Sequence, residues 1–118
     1  MDEATFKRRT KQFALRVIEL VNALPRKPAA DVIGRQLLRS ATSVGANYRA
    51  ACRGKSTADV IAKLSIVEEE ADESMYWLEL LVDSRLVPAE KVRELSKEAD
   101  ELVAMTVASI KTLRSRPQ

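Results

Sequence analysis

The chain has 118 residues, of which 46% are apolar and 31% charged, and its 3 Gly and 4 Pro are typical of a single helical domain. No apolar run approaches the roughly 18 residues of a membrane span, the charged N-terminus lacks a signal-peptide core, and the single Cys52 excludes an intrachain disulfide, so we expect a cytoplasmic protein. The net charge of +3 is unevenly spread, because residues 1–56 are basic whereas residues 57–86 carry 8 acidic and 2 basic side chains.

The first half of the chain predicts two amphipathic helices. Apolar residues recur at helical spacing over 5–24, and Pro25 and Pro28 end that pattern because proline disfavours a helical residue before it. A second helical pattern covers 29–53, and Gly54 follows it as a C-terminal stop.

The second half predicts two more helices. The third covers 57–85, with Ser56 or Thr57 as its N-cap. A short break leads to Pro88, which suits the first turn of a helix, and the fourth helix covers 89–114.

Four amphipathic helices with short connections favour an all-α fold in which residues 1–118 form one domain. The economical arrangement is an antiparallel up-down four-helix bundle. We find no internal repeat and no low-complexity segment.

Basic side chains form two groups that could bind nucleic acid. At about 100° per residue, four arginines of the second helix lie opposite its apolar face, in a row about 27 Å long. These are Arg35, Arg39, Arg49 and Arg53, and the first helix adds Lys7, Arg8, Arg9 and Lys11. Guanidinium groups bind phosphate oxygens bidentately, and two basic elements can form one patch. Alternatively, the row is a solvated face, or it pairs with the acidic third helix of a neighbouring subunit.

Small and polar residues in the middle of the second helix favour a structural role over a chemical one. Small side chains allow close helix approach, and a buried hydroxyl or amide fixes register by hydrogen bonding. The residues concerned are Ser40, Ser43, Gly45 and Asn47.

The third helix carries a second set of side chains away from its core stripe, which predicts an oligomer interface. The set consists of Ile66, Glu73, Trp77 and Leu80. Tryptophan is enriched as an anchor in interfaces. Alternatively, Trp77 lies at the seam of the bundle core.

The sequence favours neither catalysis nor a metal or other cofactor. The chain has no histidine, which removes the commonest general base and both Glu-x-x-His pairs of a di-iron bundle. The 3 glycines form no phosphate-binding loop. We interpret the carboxylates of the third helix as a solvated or interface-facing stripe, and Cys52 as a buried, unreactive thiol.

Three segments of the chain resemble a known family. Residues 36–47 (QLLRSATSVGAN) resemble the signature of the four-helix bundle proteins first described as products of intervening sequences in bacterial 23S ribosomal RNA genes. The resemblance continues over 62–74 (AKLSIVEEEADES) and 76–81 (YWLELL), and spans about residues 6–112.

This resemblance implies an up-down four-helix bundle that assembles into a cyclic homo-oligomer, with a pentamer favoured. It also implies a relation to accessory proteins of diversity-generating retroelements, which bind a reverse transcriptase and nucleic acid through a basic surface. One segment differs: many members read Asn-Ile-Ala-Glu-Gly after the signature, whereas here Tyr48 and Arg49 follow Asn47. The missing acid leaves the arginine row less neutralised.

We therefore predict a non-enzymatic oligomeric binding protein with a basic surface for nucleic acid, either RNA or DNA, or for a protein partner such as a reverse transcriptase. The alternative is a protein-interaction scaffold whose charge asymmetry serves ring assembly. We expect no membrane association.

Overall fold

The computed structural model describes residues 2–116, and these form four α-helices. Helix α1 spans Glu3–Asn22, α2 spans Pro28–Cys52, α3 spans Thr57–Asp83 and α4 spans Ala89–Ser115. Residues 2–116 contain no β-strand. The prediction of an all-α fold with four helices is confirmed.

Local capping interactions explain where the helices begin. The Asp2 carboxylate accepts a hydrogen bond of 3.1 Å from the Thr5 amide, so α1 begins two residues before its predicted start. The Ser56 hydroxyl accepts a bond of 3.1 Å from the Asp59 amide at the start of α3. Both side chains satisfy amides that have no partner within the helix.

Helix α3 ends at Asp83, two residues before its predicted end, because the chain there adopts a left-handed turn. Arg85 has a φ of 63°, a conformation that glycine adopts more easily than arginine. The Leu86 amide donates to the Leu81 carbonyl at 3.0 Å, and the Arg85 amide donates to the Val82 carbonyl at 2.9 Å. These are the two bonds of a Schellman motif.

Gly54 follows α2 as predicted, but it acts through close approach rather than a left-handed conformation. It does not have a positive φ. A methyl group in its place would collide with Val60 Cγ2 at the start of α3. Glycine therefore allows the chain to turn tightly from α2 into α3.

Consecutive helices pack side by side and run in opposite directions. Phe6, near the start of α1, lies against Tyr48, near the end of α2, with ring centroids 4.3 Å apart. Ser40 Oγ in α2 lies 2.9 Å from Ser74 Oγ in α3. Helix α4 packs beside α3 and also contacts α1, within a body measuring 51 × 20 × 20 Å. The starts of α1 and α3 thus share one end of the molecule with the ends of α2 and α4.

All four helices contribute to one core along the long axis. Its largest fully buried apolar side chains are Phe6, Phe13, Leu37, Leu78, Leu81 and Leu102. Helix α1 packs broadly on α2 but meets α4 along a narrower seam. Among residues 2–116, none of the four helices combines the length and the apolar content that a membrane span requires.

Candidate nucleic-acid interface

The arginine row lies on the outer face of α2, as the helical periodicity predicts. All four side chains are exposed. Within residues 2–116, Arg35, Arg49 and Arg53 have no carboxylate oxygen within 4.0 Å. Their charges are therefore available to an external anion.

Arg39 differs from the rest of the row, because it pairs with the acidic helix α3 of its own chain. Its Nη1 lies 3.0 Å from Glu70 Oε2, and its Nη2 bonds to Glu73. The hydrogen bond to Glu73, followed by the charge of Glu70, raises the pKa of Arg39. The sequence-based alternative placed such a pairing between neighbouring subunits, whereas Arg39 pairs with α3 of its own chain.

The cluster of basic residues in α1 is divided between two faces. Arg8 and Lys11 are exposed and unpaired among the described residues, whereas Lys7 lies 3.3 Å from Glu3 in an exposed i,i+4 pair. Exposed pairs of this kind are weak and screened by salt. We therefore count Lys7, Arg8 and Lys11 as available to a polyanion.

Arg9, in contrast, connects α1 to α4 and is only 28% exposed. Its Nε and Nη2 donate to the two carboxylate oxygens of Glu98 at 3.0 and 2.6 Å, and Nη2 also lies 2.9 Å from Glu101. Nη1 lies 3.2 Å from Met105 Sδ. The bidentate bond to Glu98 raises the pKa of Arg9. Arg9 therefore closes the narrow seam between α1 and α4.

The antiparallel order gathers basic residues from all four helices at one end of the molecule. Residues 2–12, 44–56, 57–68 and 106–116 lie there, and they carry 11 basic and 4 acidic side chains. The net charge of this part is +7, whereas that of the whole chain is +3. We call this part the basic end. Such a concentration of one sign attracts polyanions and speeds their association.

The sequence interpretation missed the contribution of α4 to the basic end. Lys111, Arg114 and Arg116 are exposed there, and Lys55 joins them from the turn after α2. None of the four has a carboxylate within 4.0 Å among the described residues. Their spacing in the sequence gives no sign of a shared surface, because only the antiparallel return of α4 brings its end to the end of the molecule where α1 begins and α2 ends.

A groove opens at the basic end between the four helices. Its volume is about 750 Å³, and its lining includes Glu3, Tyr48, Cys52, Met105 and Arg116. Burial is the main cause that raises the pKa of the Cys52 thiol, so the thiol stays protonated at neutral pH. This agrees with an unreactive cysteine, although Cys52 is half-buried rather than fully buried.

Comparison with known proteins assigns the family. Residues 3–108 match the model of the family described as 23S rRNA-intervening sequence protein. The chain belongs to this family.

A solved structure supports the assignment. The crystal structure of a protein from Bacteroides thetaiotaomicron, described as having unknown function and as a member of the S23 ribosomal protein family, superposes with a TM-score of 0.87. It is 35% identical to this chain, and the alignment covers 94% of this chain and 99% of the other. No curated protein matches the chain. Neither the family description nor that of the solved relative names an enzymatic activity.

In this family member, two of the signature residues predicted to be structural lie at helix contacts. Ser40 is fully buried, and its Oγ connects the Leu37 carbonyl, at 3.2 Å, to Ser74 Oγ of α3. A methyl group on Gly45 would lie 3.2 Å from Thr10 Oγ1 of α1, so glycine allows α1 and α2 to approach closely.

The other two signature residues bond within α2. Ser43 Oγ donates to the Arg39 carbonyl at 2.6 Å, and Asn47 Nδ2 donates to the Ser43 carbonyl at 2.8 Å. Each is half-buried. Their side chains satisfy main-chain acceptors and make no site of their own.

The predicted interface set of the family member lies on the side of α3 next to Arg39. Trp77 is half-buried, packs on the edge of the core, and donates from Nε1 to Glu73 Oε1 at 3.2 Å. Ile66 is 39% exposed, and Leu80 is half-buried. Trp77 thus contacts the core as the alternative interpretation requires, while Ile66 leaves apolar surface in contact with solvent.

Metal binding finds no support among the described residues. Within residues 2–116, no group of three or more Cys, Asp or Glu side chains is arranged to hold a metal ion. The carboxylates of Glu70 and Glu73 are instead engaged with Arg39.

Proposed function

We propose that this protein is a non-enzymatic oligomeric binding protein whose basic end holds the backbone of RNA or DNA. The observation that carries the proposal is the excess of 11 basic over 4 acidic side chains at that end, where most of the cations have no partner among residues 2–116. Of the eight basic residues suggested by the sequence, five lie there without an inter-helix ion pair: Lys7, Arg8, Lys11, Arg49 and Arg53.

The chemistry of the basic end suits phosphate contact rather than reading of base sequence. Each phosphate neutralised by arginine or lysine releases condensed counterions, which drives binding and makes it strongly dependent on salt. The aromatic rings at this end are not exposed platforms, because Phe6 is 0% and Tyr48 6% exposed. The description of the family by a ribosomal RNA intervening sequence agrees with an RNA-related role.

The test is the affinity of labelled mixed-sequence RNA and single-stranded DNA, measured by fluorescence anisotropy between about 50 and 300 mM salt. We expect micromolar affinity that falls steeply with salt. The double variant Arg49→Ala/Arg53→Ala should bind about tenfold more weakly and show a shallower salt slope, because two phosphate contacts are lost.

The matched control is Arg26→Ala/Lys27→Ala. It removes the same charge from exposed, unpaired residues in the turn between α1 and α2, at the opposite end of the bundle. It should stay within about twofold of the parent affinity. Equal losses in both double variants would contradict a defined binding surface, and absence of binding at low salt would contradict the proposal altogether.

The same proposal includes assembly into a cyclic homo-oligomer, with five subunits favoured by the family resemblance. Exposed apolar side chains on α3 support it: Tyr76 is 52% and Ile66 39% exposed, and Tyr76 packs against the half-buried Trp77. A second subunit could cover these side chains in an interface. A ring needs two different faces, and the opposite charges of α2 and α3 provide them.

Light scattering of the Trp77→Ala variant tests the interface. We expect a smaller particle with nearly unchanged helix content by circular dichroism. An unchanged particle mass would argue that Trp77 serves the bundle core alone.

The second candidate function is a scaffold that binds a protein partner, such as a reverse transcriptase, and not nucleic acid. The exposed apolar side chains of α3 favour this alternative, because phosphate contact does not require them. An oligomer that dissociates in high salt and binds neither RNA nor single-stranded DNA would support the scaffold function.

A further inference from the structure

The groove at the basic end has the size and lining of a ligand site. Its volume of about 750 Å³ falls within the range of small-molecule pockets. It exists because small residues, Ala51, Ala108 and Ser109, line the last turns of α2 and α4. The wall is apolar where Leu64 and Met105 reach the groove.

Tyr48 gives the groove a polar group without a strong partner. Its side chain is only 6% exposed, and its ring packs on Phe6. Apart from the neighbouring Cys52 thiol, a weak hydrogen-bonding group, its hydroxyl has no hydrogen-bond partner among residues 2–116. Every fully buried side-chain nitrogen or oxygen in the described part of the chain has a hydrogen-bond partner. Because the Tyr48 hydroxyl has no nitrogen or oxygen partner, it is not fully buried, and it opens into the groove that Tyr48 lines rather than into the core.

Opposite charges line the same groove as this hydroxyl. Glu3 lines the groove on the α1 side, and hydrogen bonds from Cys52 and then Lys7 lower its pKa, so the carboxylate is ionised at neutral pH. Arg116 lines the groove on the α4 side. A ligand that suits both walls presents hydrogen-bond donors to a carboxylate and a negative charge to a guanidinium.

A nucleotide combines these features in one molecule. Its base is flat and largely apolar on its faces, its amino and ring N–H groups donate to carboxylates, and its phosphate pairs with arginine. A simple anion or a fatty acid would offer the Glu3 carboxylate no hydrogen-bond donor. Proteins that bind single strands hold unstacked bases by stacking and by hydrogen bonds to the base edges, and the polar groups of this groove offer the hydrogen bonds.

We propose that the groove receives one unpaired base of a bound strand, with its amino edge towards Glu3 and the Tyr48 hydroxyl and its phosphate towards Arg116. This inference rests on the proposed function, in which the cations around the groove hold the backbone. It adds a contact to the base that backbone binding does not include.

The test compares a fluorescein-labelled DNA strand of about twelve nucleotides with an abasic strand that has the same number of phosphates. We expect the abasic strand to bind about fivefold or more weakly at equal salt, with the same salt slope. The variant Ala108→Leu, which fills the groove from an exposed position, should reduce the affinity for the intact strand to that for the abasic one.

The matched control is Ala104→Leu, an equivalent substitution at an exposed residue one turn earlier on α4 and outside the groove lining. It should leave both affinities unchanged. Tyr48→Phe keeps the packed ring and removes only the hydroxyl, so it provides a second variant that should weaken the intact strand selectively.

The outcomes separate this inference from the proposed function. Equal, salt-dependent affinities for the intact and abasic strands would overturn the base site while leaving backbone binding in place. Absence of binding by either strand would overturn both.

Discussion

Arg39 and Arg49 project from the same outer face of α2, but they have different surroundings. Arg39 lies in the middle of the bundle, where α3 presents Glu70 and Glu73, and its charge is neutralised within the chain. Arg49 lies towards the basic end, where residues 57–67 of α3 carry a single acid, Asp59. The position of the acids along α3 therefore decides which part of the arginine row remains charged towards an external partner.

The middle of the bundle is also packed more tightly than the basic end. In the middle, Leu37, Ser40, Ser74 and Leu78 are all 0% exposed, and the two serines bond across the helix contact. At the basic end the groove leaves Leu113 half-buried and open to solvent. A closed middle supplies stability, and an open, basic end supplies surface for binding.

The largest expected change in stability comes from truncating one apolar side chain in each region. Leu78→Ala should lower the free energy of unfolding by about 2–5 kcal/mol, because it leaves a cavity in a closed layer. Leu113→Ala should cost about 1 kcal/mol or less, because water already reaches the groove that its side chain lines. Urea unfolding followed by circular dichroism, at one protein concentration, measures both; similar losses would show that the basic end is packed as tightly as the middle.

Much of the fold follows from local sequence signals. The apolar residues that recur at helical spacing in α3 predict seven core positions. Four of them are buried, namely Leu64, Val67, Ala71 and Leu78, whereas Val60, Met75 and Val82 are half-buried. The arginine row of α2 faces outwards. Both results depend only on helical periodicity within one element. The observed helix ends differ from the predicted ones where a capping side chain or a left-handed turn sets the boundary, as at Arg85.

The candidate site depends on contacts between helices, and periodicity does not predict those. Whether Arg39 meets Glu70 and Glu73 is decided by the register of α2 against α3, the same register that brings Ser40 and Ser74 into contact. The role of Arg9 likewise depends on how α4 returns beside α1. Nucleic-acid binding by the remaining cations stays a prediction.

A smaller effect should come from the serine pair that joins α2 to α3. Ser74→Ala removes a fully buried hydroxyl hydrogen-bonded to Ser40, and we expect a loss of about 1 kcal/mol. Because the two groups bond to each other, Ser40→Ala and Ser74→Ala should be non-additive by about 0.5 kcal/mol or more in a double-mutant cycle.

Ser65→Ala is the matched control for the serine cycle. Its half-buried hydroxyl bonds only to the Ile61 carbonyl of its own helix, at 3.0 Å. Its effect should stay within about 0.5 kcal/mol of zero. Additive effects of the Ser40 and Ser74 substitutions would show that the hydroxyl contact does not couple the two helices.

The smallest expected change in stability distinguishes Arg39 from Arg49. Partial burial acts to raise the pKa of Glu73, but hydrogen bonds from Arg39 and Trp77 outweigh it, and the net result is a lowered pKa. A carboxyl whose pKa is lower in the folded state stabilises the fold above its unfolded pKa, near 4.5, and this contribution disappears as the pH falls through the folded pKa. Arg39→Ala should therefore lower the urea midpoint at pH 7, by less than Ser74→Ala does, and the difference from the parent should vanish in acid.

Arg49→Ala should leave the midpoint unchanged at both pH values, because its guanidinium has no carboxylate partner among the described residues, and should instead weaken strand binding. A midpoint that falls equally in both variants would mean that Arg49, too, is committed to the fold, and the charge of the basic end would then be smaller than its residue count indicates.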